Sequence, residues 1–341
     1  MATHQAVHVQ APGDALTLVE VETPSPPRDH VRIAVAACGV CGTDHAFING
    51  GFPEMSWPLT PGHEIAGTIA EVGEGVDNYT VGDRVAVGWF GGHCNKCIPC
   101  RKGLFIHCEK LQIPSWHYPG GYAESVTVPA NALARIPSEL SFAEAAPMSC
   151  AGVTTYGALR KTAAVPGDRV AVLGVGGLGH LGVQFARAMG FETIAIARGA
   201  QKGDDARRLG AHHYIDSTAG DVSDALQALG GVSVVLATAA SSKAMGDTVG
   251  GLLPRGELTV VGVTPEPLPI SPLQLITPGL KVTGHPSGTA RDVEETMQFA
   301  VLSGVRAQIE ELPLAQAAKA YAAMEEGRAR YRMVLTVEQR I

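Results

Sequence analysis

RVAVLGVGGLGHLGVQFARAMG, residues 169–190, reads as three features in succession. Arg169 to Leu173 is a short apolar run of strand length. Gly174, Gly176 and Gly179 then stand at the spacing G-x-G-x-x-G, and Leu178, Leu181, Phe185 and Met189 recur at helical spacing. A lone glycine pattern of this kind is weak evidence. Between a strand and a helix it gains meaning, because backbone amides and the helix N-terminus there hold a pyrophosphate. Gly177 adds room for close approach.

Downstream the alternation continues. Ile194 to Ala197 reads as a strand, Asp204 to Leu209 as a helix, and Tyr214-Ile215, Val232 to Ala237 and Leu258 to Val263 as further strands. Strands alternating with helices predict a parallel sheet with crossover helices. Upstream the texture differs. Val31 to Ala37, Ala66 to Val72 and Arg84 to Val87 are short strand-like runs broken by Gly, Pro and Asn, as in an irregular β-rich domain. The expected division is therefore a β-rich domain over 1–150, a dinucleotide-binding domain over 151–285, and a segment over 286–341 that packs back on the first.

With 341 residues, 45% of them apolar, the chain can bury two cores. Its net charge is −7, with no Lys/Arg-rich block, which argues against nucleic acid as a partner. The longest uncharged stretch, Val170 to Ala186, is short for a membrane span and carries His180, Gln184 and several glycines. Since the start MATHQAVHVQ lacks a basic, then apolar, leader, a soluble cytoplasmic protein is expected. In that reducing setting the seven cysteines point to metal or thiolate chemistry more than to disulfides.

Four of the cysteines form the run CNKCIPCRKGLFIHC, residues 94–108. Tight spacings let Cys94, Cys97 and Cys100 point into one tetrahedron, and the longer return supplies Cys108. Zinc is the first reading, an iron–sulfur cluster its rival. Four thiolates make zinc closed and anionic, so this lobe, about residues 91–110, is expected to stabilise rather than to react. Two polar stretches, CGTDH (41–45) and PGHEIAG (61–67), read singly as either turns or metal ligands.

GVCGTDH, PGHEIAGTIAEVGEGV, the four-cysteine lobe, CAGVTTY and GVGGLG stand in the order found in the zinc-dependent medium-chain alcohol dehydrogenases, which the sequence resembles over essentially its whole length. A cinnamyl-alcohol-dehydrogenase-like branch, bacterial or yeast-like, is one candidate. The resemblance implies an α/β protein, a Rossmann doubly wound parallel-sheet coenzyme domain plus a β-rich GroES-like catalytic domain. It implies two zinc ions per chain, one structural and one catalytic, the latter on Cys41, His63 and Cys150. A Cys2His set leaves an open position and a neutral complex, which favours Lewis acidity. Glu64 is implied as an alternate ligand behind the metal, Asp44 as the carboxylate that orients His63, and Thr43 as the group that bonds the substrate oxygen and carries its proton outward. Relatives with a relay histidine place it where this chain has Ala46; His45 either takes that part or faces solvent. Gly42 stands where many relatives have a basic residue, and Cys38 is expected to pack as a small apolar side chain.

Besides Gly174, Gly176, Gly177 and Gly179, the coenzyme residues implied are Thr154, Leu178, Arg198, Val263 and Arg332. Arg198, in AIARGAQKGDD, takes the place where NAD enzymes offer a carboxylate to the ribose. A guanidinium pairs with a 2′-phosphate, so NADP(H) is favoured, with NAD(H) as the alternative. Phe52, Trp89 and Trp116 are the implied substrate wall, suited to primary aliphatic, allylic or aromatic alcohols and aldehydes. A polyol or amino-alcohol dehydrogenase, or a non-catalytic zinc-stabilised NADP-binding protein, are the competing readings. A homotetramer or homodimer is implied as well.

Overall fold

The computed structural model describes residues 2–338. It divides into two compact units. The first takes the described residues of Met1–Val153, Ser287–Leu302 and Ala307–Ile341, the second Thr154–Pro286 and Ser303–Arg306.

The second unit is built on a parallel sheet whose strands lie in the order His213–Asp216, Glu192–Ala197, Arg169–Leu173, Val232–Ala237, Leu252–Val260 and Lys281–Gly284. The chain starts in the middle, winds to one edge, returns and winds to the other. The order reverses between Arg169–Leu173 and Val232–Ala237, and ligands of such sheets bind at that switch point. Val170 to Val172 and Val234 to Ala237 are buried, as expected of strands covered on both faces. The helix Gly179–Ala188 presents Leu181, Val183 and Phe185 to this core. One strand differs from expectation. The sequence predicts a strand over Leu258 to Val263, but pairing covers Leu252–Val260, because the amides of Val261 and Gly262 both turn to the carbonyl of Ala237.

The first unit carries a mixed sheet in the order Ile309–Pro313, Arg332–Thr336, His30–Gly39, Ile65–Val72, Arg84–Val87 and Ala134–Arg135, with Ser125–Pro129 pairing beside His30–Gly39 as well. His30–Gly39 is the hub. Its N-terminal half pairs with Ser125–Pro129, its last residues pair with Arg332–Thr336, and its other edge pairs with Ile65–Val72. Alternate residues Val31, Ile33 and Val35 are fully buried, the period-2 signature of a half-buried strand. Two strand ends that matter chemically thus lie together: Gly39 leads into Cys41, and Ile65 follows His63 and Glu64. The GroES-like and Rossmann pair of folds expected from the sequence is the architecture observed.

Candidate functional site

Cys41 lies one residue past Val40, which follows the hub strand, and is held by its own turn. Its amide donates to Asp44 Oδ2 (2.9 Å), and the Asp44 amide returns to the Cys41 carbonyl (2.9 Å) as the helix Thr43–Ile48 begins. His63 and Glu64 arrive on the loop before Ile65–Val72, where the Gly39 amide donates to the Glu64 carbonyl (2.9 Å). A Cβ at Gly39 would lie 1.9 Å from the Glu64 carboxylate and 3.1 Å from the Glu64 Cβ, so the buried carboxylate keeps its place only while residue 39 has no side chain.

Cys150 comes from a different direction. A capping box formed by Ser141 and Glu144 starts the helix Phe142–Pro147, and a single π turn over Met148–Gly152 follows. Such turns displace one residue from the helical ladder and recur at functional sites. Gly88 accommodates this turn, since a Cβ there would strike the Ser149 carbonyl at 1.9 Å.

These segments bring ligand atoms of Cys41, His63, Glu64 and Cys150 within 4.8 Å of one another. Asp44, fully buried, is the hub of their support. Its Oδ1 faces His63 Nδ1 at 3.1 Å, while Oδ2 accepts from both the Cys41 amide and the Tyr122 hydroxyl (2.9 Å). Burial and the nearby Asp44 charge keep the Tyr122 phenol well above its ordinary value, so it stays a neutral donor. With Nδ1 committed, His63 Nε2 is left buried without a hydrogen-bond partner among the described residues. A buried imidazole nitrogen in that state calls for a partner, and two neighbouring thiols complete the donor set that zinc takes in a catalytic site. The hydrogen bond from the Cys150 thiol holds the Cys41 thiol well below its ordinary value against the opposing effect of burial, so Cys41 is the first of the pair to ionise. The residues fit the metal.

Glu64 faces Arg332, whose guanidinium donates to both carboxylate oxygens; both residues are buried. Burial pushes the Glu64 carboxyl up to about 7, and Arg332 opposes that rise. Arg332, expected at a coenzyme phosphate, thus has its guanidinium against Glu64, with Nε unpartnered among the described residues. Thr43 Oγ1 lies 3.8 Å from Cys41 Sγ. His45 is more than half exposed and holds Glu325 Oε2 at 2.6 Å and the Tyr321 hydroxyl at 3.1 Å. Ring contacts enclose His63: Phe47 and Trp89 each have their centroids 5.7 Å from it, edge-on, and Phe52 packs on Phe47 and on Trp116.

In the four-cysteine lobe, ligand sulfurs of Cys94, Cys97, Cys100 and Cys108 also lie within 4.8 Å of one another. The Lys96 and Cys97 amides donate to Cys94 Sγ (both 3.4 Å), and the Cys94 and Lys110 amides to Cys108 Sγ (both 3.3 Å). Those amides bring the Cys94 thiol down to about 6, which favours the thiolate a metal needs.

In the second unit the glycine turn is built as its spacing implies. Gly174 has φ +91°, a Cβ at Gly179 would sit 1.7 Å from the Gly174 carbonyl, and around Gly176 there is open space for close approach of a ligand. Gly177 and Leu178 are half-buried beside it, and Thr154 is buried in the helix Val153–Arg160. Arg198 is exposed at the end of Glu192–Ala197. Val263 is 83% exposed in the loop past Leu252–Val260. Phe47, Tyr122, Tyr321 and Glu325 escaped the sequence reading. Only Phe47, an apolar neighbour of CGTDH, carried any signal there.

Residues 27–138 match the family described as alcohol dehydrogenase GroES-like domain, and residues 177–301 the one described as zinc-binding dehydrogenase. The chain is 39% identical over 340 residues to alcohol dehydrogenase patD of Penicillium expansum, covering 98% of each. Among solved structures it resembles cinnamyl alcohol dehydrogenase 4 of Sorghum bicolor (TM-score 0.91, 29% identity, 98% of each chain). It also resembles a Helicobacter pylori CAD complexed with NADP(H) (TM-score 0.87, 27% identity, 98% of each chain). Matched domains, a relative aligned from end to end and a buried Cys2His donor set agree: the chain belongs to the zinc-dependent medium-chain alcohol dehydrogenase family and is an NAD(P)-dependent alcohol dehydrogenase.

Proposed function

We propose that the protein interconverts primary alcohols, aliphatic, allylic or aromatic, with their aldehydes, and that NADP(H) is its preferred coenzyme. The observation that carries the reading is His63 Nε2, buried and unpartnered beside two thiols while Asp44 occupies the other ring nitrogen. Cys41, His63 and Cys150 would hold zinc, and Cys94, Cys97, Cys100 and Cys108 a second, structural ion. When bound, zinc supplies electrophilic pull on the substrate oxygen and the nicotinamide supplies the hydride acceptor or donor.

The chain's own residues do the rest. Thr43 orients the substrate hydroxyl and relays its proton outward, Oγ1 accepting it as the Thr43 hydroxyl gives up its own hydrogen to solvent. Asp44 fixes the His63 tautomer and, through the Cys41 amide, the position of the first thiol. Arg332 keeps Glu64 from the donor set by holding both its oxygens. Phe47, Phe52, Trp89 and Trp116 offer flat apolar faces, which favour unbranched and aromatic substrates over polyols. Gly176 leaves open the approach to the pyrophosphate, and Thr154, Leu178 and Val263 would complete the coenzyme contacts.

Support for NADP(H) comes from Arg198. It is exposed at the end of its strand, and the nearby Asp216 carboxylate is already taken by the Gly199 amide and by the Thr218 amide and hydroxyl. Asp216 is thus engaged in the turn through Oδ1, and at the strand end itself a 2′-phosphate finds the Arg198 guanidinium. The NADP(H)-bound relative from Helicobacter pylori agrees with this preference. The test is the initial rate of benzaldehyde reduction with NADPH and with NADH at matched concentration, on protein whose zinc content has been counted. Faster turnover with NADPH is expected; faster turnover with NADH overturns the coenzyme assignment, and none with either at full zinc content overturns the substrate class.

A further inference from the structure

The aromatic residues around His63 are not equally well held. Phe47 and Ile113 are buried with Leu59 in one small core, whereas Phe52, Met55 and Trp57 lie on a half-exposed segment packed against it. Leu59 is tied by reciprocal hydrogen bonds to Val9 (2.9 Å each). Among the described residues, no backbone–backbone hydrogen bond joins residues 52–58 to any other segment. The one polar tie is a side chain: the Trp116 indole N–H donates to the Pro53 carbonyl at 3.0 Å.

Trp116 itself stands on firm ground. Its amide and that of His117 both donate to the Ile113 carbonyl (3.2 and 2.9 Å), and the Ile113 amide donates to His117 Nδ1 (3.1 Å). The Ser115 amide closes the turn on the Tyr118 carbonyl (2.9 Å), and the Tyr118 hydroxyl reaches the Gly91 carbonyl (2.9 Å). From this base the indole stacks on Phe52, with centroids 4.6 Å apart and planes at 28°. Phe52 in turn meets Phe47 (4.9 Å) and Trp89 (6.0 Å), the two rings that flank His63.

We infer that Trp116 is a specificity-determining latch: by bonding the Pro53 carbonyl and stacking on Phe52, it fixes residues 52–57 as the outer wall beside His63, and so disfavours substrates branched at the carbinol carbon. The inference rests on the reading of this site as an alcohol site. Trp116 acts through Phe52 and is therefore a positioning residue. A wall held by one neutral hydrogen bond loosens when that bond goes, even if the ring area stays.

Trp116→Phe keeps an aromatic face and removes the donor. On the zinc-loaded full chain, limited cleavage after Glu54 by a glutamate-specific protease should accelerate about five- to tenfold, the worth of one such bond. The kcat/KM for 1-phenylethanol relative to benzyl alcohol should rise by a similar factor. The change for benzyl alcohol should fall on KM, with kcat held, because the wall binds substrate without touching the reacting proton. If W116F oxidises benzyl alcohol as the wild type does, with the same ratio and the same rate of cleavage after Glu54, the latch is overturned and the alcohol reading stands. If the wild type oxidises neither alcohol, the alcohol reading falls and the specificity claim with it. Should W116F fail to fold, Phe52→Leu decides: the stack is lost and the N–H tie kept, so a raised branched-to-flat ratio with unchanged cleavage after Glu54 supports the latch, and an unchanged ratio overturns it.

Discussion

Asp44 serves three groups at once, the His63 ring, the Cys41 amide and the Tyr122 hydroxyl, and each depends on its charge in a different degree. Asp44→Asn keeps the shape and removes the anion that holds His63 Nδ1–H. Metal affinity and kcat/KM should each fall about 10- to 100-fold, the usual cost of losing a carboxylate behind a metal-bound imidazole. Zinc retained after dialysis against a chelator, read beside aldehyde reduction, checks this; undiminished zinc would mean that Asp44 serves the turn and not the metal. A second residue can be tested through the coenzyme. Arg198→Asp replaces the proposed phosphate partner by a repelling carboxylate, and the ratio of kcat/KM for NADPH over NADH should drop by about two orders of magnitude. How far such residues could be seen in advance follows from sequence distance. Cys94 to Cys108 declare themselves by spacing within one short run. Cys41, His63 and Cys150 are legible only as an ordered set, and Tyr122 and Glu325 not at all, since they lie 78 and 280 positions from Asp44 and His45, the residues they bond.

Turns and lobes carry these residues, and their integrity is testable apart from the chemistry. In the four-cysteine lobe the amide bonds to Cys94 and Cys108 shape a cradle with no large apolar core of its own: Ile98 and Leu104 are exposed. Cys100→Ser should therefore lose one zinc per chain and lower Tm by about 5–10 °C, while the ion on Cys41, His63 and Cys150 remains. Loss of both ions at once would show that the two sites are coupled. The turn after Glu192–Ala197 depends on Asp216, whose carboxyl is held below its ordinary value first by the Thr218 amide, then by the Thr218 hydroxyl and the Gly199 amide. Because its folded value is the lower one, this stabilisation is complete above the unfolded value, about 3.9. It is lost as pH falls through the folded value. Asp216→Ala should thus raise KM for NADPH severalfold at neutral pH and flatten the acid limb of the stability profile below about pH 4. Element ends were the less legible part of the sequence. The strand expected to reach Val263 stops at Val260 because two amides share the Ala237 carbonyl, and Pro147 followed by a π turn places Cys150 where no periodic pattern would put it.

At the scale of the whole molecule the alternation after Cys150 was decisive, since a parallel sheet with crossover helices writes its period into every segment. Partner surfaces leave no such trace in a sequence, and the open edge of the second unit's sheet can be read only from the fold. Lys281–Gly284 is an edge strand, and all its residues are exposed. Beside it in sequence, the short helix Pro272–Ile276 carries Leu273 and Ile276, 72% and 75% exposed, and Val282 is 40% exposed on the edge itself. Exposed main-chain groups on a sheet edge are a template for pairing with another chain, and soluble monomers usually blunt such edges with charge, proline or a bulge. Lys281 is the one charged residue on this edge. Self-association through the edge would pair its outward backbone groups and bury the apolar side chains together. The expected form in solution is therefore a dimer or a dimer of dimers. A chain carrying Leu273→Asp and Ile276→Asp should elute one step smaller by size exclusion with light scattering, with its zinc content unchanged, because neither residue belongs to a metal site. A wild-type chain that is monomeric at micromolar concentration, or a double variant that keeps its mass, would mean that this edge is not the interface.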